Sequence, residues 1–166
     1  MRSLAGRGAS VSVVHPLHPV THVGAARVSS CDQPSVTDRA AAAADAPTIY
    51  VCVTCRPVGE PDSELRPGAV LAAAVERAAA GTEVIVRPMR CLANCSRGPS
   101  AALRCNGSWT YVFGGLDPAF AGALVEGARL LARAADGILP WRGRPEPLKR
   151  GLIARVPPIG FEEVDA

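Results

Sequence analysis

The stretch from Thr48 to Met89 constrains the chain more than any other. "TIYVCV" is rich in β-branched and aromatic residues, "AVLAAAVERAAA" is a run of strong helix formers stopping at Gly81, and "TEVIVRPM" is a second strand-like run. A helix joining two strands of one sheet implies a right-handed crossover, which makes the strands parallel neighbours. Further on, "SAALRC" and "SWTYVFG" read as two more strands. They are joined through Asn106-Gly107, a dipeptide suited to a type I′ turn. Asp117-Pro118 supplies an N-cap and a first-turn proline for "AFAGALVEGARLLARAA", which Asp136-Gly137 closes.

The order is therefore β-α-β-β-β-α, that of a small thioredoxin-like, ferredoxin-type α/β sandwich. It occupies residues 47–137. Residues 1–46 are rich in Pro, His, Ser, Gly and Ala without a persistent period, and are expected to be a disordered tail. That tail holds all 3 histidines, in "HPLHPVTH", where prolines fix an extended backbone between them. Residues 138–166 carry several prolines and no long period. They are expected to pack on the domain as an irregular extension, with Trp141 and Phe161 as anchors.

The charge excludes some functions. With 18 Lys and Arg against 15 Asp and Glu the net is +3, scattered rather than gathered into a stripe interleaved with aromatics. A nucleic-acid footprint needs such a stripe, so none is expected. No run approaches the roughly 18–20 apolar residues that span a bilayer. At the start, "SVSVVHPLHPVTH" is broken by prolines and histidines where a secretory signal needs an apolar run. The expectation is a cytoplasmic protein that contacts neither membrane nor nucleic acid. In that compartment clustered cysteines imply metal or redox chemistry rather than a disulfide framework.

Four of the 6 cysteines form two close pairs, Cys52-x2-Cys55 and Cys91-x3-Cys95. Each pair follows a predicted strand. If the two strands are parallel neighbours, both loops leave the same edge of the sheet and the four sulfurs can converge. Four thiolates suit zinc or an iron–sulfur cluster. Arg56, Arg90 and Arg97 adjoin the cysteines, and guanidinium groups there would offset the charge of about −2 on an oxidised 2Fe–2S centre with its four thiolates. Disulfides within or between the pairs, and dithiol exchange without metal, stay open. Exchange in the thioredoxin manner needs the Cys-x-x-Cys at a helix N-terminus, and here the predicted helix starts only after the loop "CRPVGEPDSELRPG". Cys105 shares a strand face with Leu103 and reads as a buried free thiol; Cys31 is assigned no role. Trp109, Tyr111 and Phe113 alternate on one strand, and packing against a helix explains them.

The stretch "CLANCSRGPSAAL" resembles the second ligand loop of thioredoxin-like 2Fe–2S ferredoxins, with Cys91, Leu92, Cys95 and Pro99 at the matching places. From Thr48 to about Pro158, "CVTCR", "CLANCSRG", "WTYVFGGLDP", "PWRGRPE" and "LIARVPP" resemble a bacterial family of predicted metal-binding proteins often encoded near cobalamin genes. The resemblance implies a thioredoxin-like fold and metal ligation by Cys52, Cys55, Cys91 and Cys95. The cofactor so implied is a 2Fe–2S cluster, with zinc as the alternative, and the partner a redox or metal-handling protein. The chain departs from the ferredoxins in the short spacing of its first pair. It departs from the bacterial family in having Pro99 where a further cysteine is common.

The segment from residue 47 on lacks histidine, which removes Ser-His and Cys-His nucleophile pairs and zinc-hydrolase triads. It has no phosphate loop and no dinucleotide fingerprint. An electron carrier or metal-binding module is expected rather than a hydrolase or transferase.

Overall fold

The computed structural model describes residues 45–55 and 65–162. All of them belong to one compact unit. The expected tail up to residue 44, with Cys31 and the three histidines, lies outside the described residues, as does Arg56.

Five strands and three helices make up the described fold: β1 Thr48–Cys52, α1 Pro67–Ala79, β2 Ile85–Met89, β3 Ala101–Arg104, β4 Thr110–Phe113, α2 Ala121–Ala132, α3 Glu146–Arg150 and β5 Leu152–Val156. They form a single sheet of order β2-β1-β3-β4-β5. β1 and β2 are parallel, with Cys52 opposite Met89. β3, β4 and β5 add antiparallel strands. This is a mixed α/β, thioredoxin-like sandwich. β2 is an outer strand, which is why Pro88, lacking a backbone donor, is tolerated within it.

One face of the sheet presents Ile49, Val51, Leu103, Tyr111 and Phe113 to both long helices. Leu71, Val75 and Ala79 of α1 lie four residues apart, and Leu124, Ala128 and Leu131 of α2 recur at three and four, so each helix buries a single stripe. Two of the three alternating aromatics behave as expected: Tyr111 and Phe113 are fully buried and their rings stack 6.4 Å apart, while Trp109 precedes the strand and is half-buried.

Two local expectations are revised. The Asn106-Gly107 turn is not type I′, because only Gly107 has a positive φ (68°). The connection runs for five residues between β3 and β4, with Ser108 N donating to Cys105 O at 3.2 Å, and so does not need two left-handed residues. Asp117 does cap, its Oδ1 accepting from Ala119 N at 2.7 Å, but it caps a 3₁₀ turn, Pro118–Phe120, that leads into α2. Asp117→Ala should therefore lower unfolding free energy by about 1 kcal/mol. A urea midpoint that falls without a change in slope would show it.

The C-terminal extension contributes more than a cover. It supplies α3 and β5, the fifth strand of the sheet. Its anchors are not the expected tryptophan. Trp141 is 65% exposed, while Leu139 and Leu148 are completely enclosed. Leu139 N donates to the Tyr111 hydroxyl at 3.0 Å. The buried Arg144 guanidinium donates to the carbonyls of Leu139 and Pro140, and also stacks over the Tyr111 ring, 5.6 Å from its centroid. Phe161 does engage, edge-on to Trp109 at 5.1 Å.

Candidate metal centre

Parallel pairing of β1 with β2 carries both cysteine loops to one end of the sheet. β1 ends at Cys52 and β2 at Met89, its register partner, so the segments holding Cys55 and Cys91 leave side by side. The contacts between them are direct. Val53 N donates to Met89 O at 2.9 Å, Cys52 Sγ lies 3.4 Å from Arg90 O, and the Thr54 hydroxyl also donates to Arg90 O.

The first pair is buried. Cys52 and Cys55 are 1% and 2% exposed. Burial pushes the Cys52 thiol up, but contacts with Thr54, Cys55 and the Leu92 backbone outweigh it and leave Cys52 below the usual thiol value. Cys55 moves the other way: burial first, then the hydrogen bond and charge of Cys52, push it up to about 11 against opposing contacts from Ser100. The two thiols of the pair are thus shifted in opposite directions.

The second pair is exposed. Ala93, between the two cysteines, has φ +56°, a left-handed conformation that alanine rarely adopts, and its N–H points to Cys91 Sγ at 3.2 Å. After it, Cys95–Arg97 forms a single 3₁₀ turn. Asn94 Nδ2 donates to Ser100 Oγ at 2.9 Å, and Ser100 O accepts from Cys52 N at 3.0 Å. The second loop is thereby tied back to the buried first pair. Arg90 and Arg97 stand on the exposed surface beside their cysteines.

Other residues that build the site carry weak sequence signals. Ser100 is fully buried and links the first pair to the second loop, its carbonyl accepting from Cys52 N and its hydroxyl from Asn94 Nδ2. Gly68, in the first turn of α1, donates its N–H to Cys55 O at 3.1 Å. A Cβ there would lie 2.2 Å from Cys52 O. The start of α1 therefore abuts the cysteine pair even though Pro67 lies 12 positions after Cys55 in sequence. Gly68 following Pro67 was the available hint, since a glycine inside a helix commonly marks close approach.

Among the described residues, no group of three or more Cys, His, Asp or Glu side chains stands close enough together to hold a metal ion. The two pairs share a rim, one sunk in the fold and one on the surface. Their chemistry fits a thiolate-held group: four sulfurs, a backbone N–H aimed at Cys91, and no imidazole among the described residues. Cys105 stands apart from them at the far end of β3, half-buried, its Sγ 3.4 Å from Asp45 O. No helix among the described residues is long and apolar enough to cross a membrane.

Among solved structures, the chain is similar to a thioredoxin-like 2Fe–2S ferredoxin from Aquifex aeolicus, with 21% identity over 72% of this chain and 100% of that one and a TM-score of 0.47. A second structure, of the wild-type thioredoxin-like 2Fe–2S ferredoxin from the same organism, shares 19% identity over 67% of this chain and 99% of that one, with a TM-score of 0.42. No curated protein matches the sequence. A family model described as "Protein of unknown function (DUF1636)" matches residues 49–158, and the chain belongs to that family.

Proposed function

We propose that this chain is a metal-binding redox module in which Cys52, Cys55, Cys91 and Cys95 hold a 2Fe–2S cluster and that it exchanges single electrons with a partner protein. One observation carries the reading: two cysteine pairs remote in sequence leave the same end of adjacent parallel strands, tied by the contacts of Cys52 and Thr54 with Arg90. Such a cluster, when bound, supplies a one-electron couple. The chain's own residues do the rest. Cys52 and Cys55 provide donors shielded from water, and Cys91 and Cys95 provide donors at the surface, where a partner can approach. The Ala93 N–H, aimed at Cys91 Sγ, would donate a hydrogen bond to that sulfur in a bound cluster. Arg90 and Arg97 offset negative charge beside the second pair. Zinc in the same four thiolates is the alternative, and metal delivery the role it would serve.

A second reading has its own observation. Cys52 and Cys55 are buried close together in sequence, beside the first turn of α1, and could cycle between dithiol and disulfide with no metal.

Anaerobic purification separates the three. Iron and acid-labile sulfide in equal amounts, with a visible chromophore, support the cluster; one zinc in a colourless protein supports the alternative. Metal-free protein whose Cys52 and Cys55 oxidise reversibly supports the dithiol. Cys95→Ser should abolish binding of either metal, by at least tenfold in retained metal, while Cys105→Ser should retain it. Equal retention in the two variants would remove Cys95 from the ligand set.

A further inference from the structure

A cleft of about 460 Å³ opens between the Cys95–Arg97 turn and the C-terminal extension. Its volume falls within the roughly 300–1,000 Å³ usual for small-molecule sites. Arg97 borders it from the cysteine loop and Arg150 from the end of α3, while Phe120 and Pro147 give it apolar walls. We propose that this cleft binds a small organic acid, with one carboxylate against Arg97 and Arg150 and a short apolar body against Phe120 and Pro147.

Charge favours an anion. The Arg97 side chain is exposed and has no ion pair among the described residues. Arg150 spends its Nε on Glu146 Oε1 at 3.0 Å, which leaves its terminal nitrogens as donors. Glu146 is shared with Lys149 at 3.6 Å, so the one carboxylate in the lining faces two guanidinium groups there and is divided with a further cation. Guanidinium groups bind carboxylates and phosphates through paired N–H donors.

The backbone decides between those two anions. Phosphate sites draw on free main-chain N–H groups, and the glycines at this wall have none to give. Gly114 N donates to Gly151 O at 2.9 Å and Gly115 N to Arg97 O. Anion recognition is left to side chains, and the rest of the lining is largely apolar. Gly114 must also stay bare, since a Cβ there would lie 2.4 Å from Asn94 Nδ2 and 2.6 Å from Arg97 O. The same contacts fix this wall to the cysteine loop, which places the bound acid beside the proposed redox centre without depending on what the cysteines hold.

Calorimetric titration of the full chain with hexanoate and benzoate, against hexanol, benzyl alcohol and inorganic phosphate, tests the assignment. Saturable binding of at least one carboxylate is expected, at least tenfold tighter than its alcohol or phosphate. Arg150→Ala and Phe120→Ala should each weaken it at least fivefold, and in Arg150→Ala the thermal midpoint stays close to wild type. Arg150 is mostly exposed, so its variant folds without penalty to the core. Silence from both acids, equal affinity for phosphate, or unaltered binding in Arg150→Ala overturns the proposal. So does an acidic peptide that displaces hexanoate at lower concentration, which would make the cleft a protein-docking site.

Discussion

Leu148→Ala is expected to lower the unfolding free energy by about 2–5 kcal/mol, the range for truncating a fully enclosed leucine. Leu148 is completely buried although it belongs to a helix of only five residues. Its side chain fills the hollow above Gly127 of α2, where an added Cβ would come within 2.3 Å of Leu148 Cδ1 and 3.2 Å of Leu103 Cδ1. Gly127 has no side chain to move into the space that the leucine vacates, so the cavity would persist and the loss should fall in the upper half of the range. Trp141 is the internal comparison. It is larger, but its described ring contacts are with the cations of Arg144 and Lys149 at 5.4 and 5.5 Å. Trp141→Ala should cost about 1 kcal/mol or less. Urea midpoints measure both. A Leu148→Ala loss no greater than that of Trp141→Ala would mean that the extension is not part of the cooperative core.

Gly68→Ala should destabilise the protein by about 1–3 kcal/mol, the cost of forcing extra volume into a packed site. In an unconstrained helix the same change stabilises, by about 1 kcal/mol. At Gly68 the new Cβ would meet backbone on both sides, 2.2 Å from Cys52 O and 3.1 Å from Cys55 N. Neither atom can rotate away, so the helix start or the cysteine turn must move. Gly122 in α2 has open space around it and supplies the opposite sign: Gly122→Ala should be neutral or stabilising. On the proposed metal reading, Gly68→Ala also reduces retained iron or zinc while Gly122→Ala does not. Two variants shifting stability in the same direction would show that α1 is not wedged against the cysteines.

Much of this fold could be read in advance, and the reasons lie in particular residues. The β1-α1-β2 unit announced itself through composition and through Gly81, and its parallel pairing predicted a common rim for the cysteine loops. That rim is present. What escaped was set by contacts between distant segments. α3 and β5 are five residues each, too short for a period to show, and they exist because Leu148, Leu139 and Arg144 find partners on α2 and β4. The burial of one cysteine pair and exposure of the other was equally hidden, since it depends on Ser100 and Gly68 closing over Cys52 and Cys55. Counting residues puts the start of α1 far from Cys55, whereas Gly68 N donates to Cys55 O.

Pro88 carries a further consequence. An outer strand with all its amide hydrogens is a template on which a second chain can add its own, and sheets left open this way grow into aggregates. β2 interrupts that row with a ring that donates nothing, and at the opposite margin β5 runs straight into Pro157 and Pro158. Pro88→Ala should leave the monomer folded yet hasten its self-association on standing, because the sheet would then have a margin that another copy could zip onto.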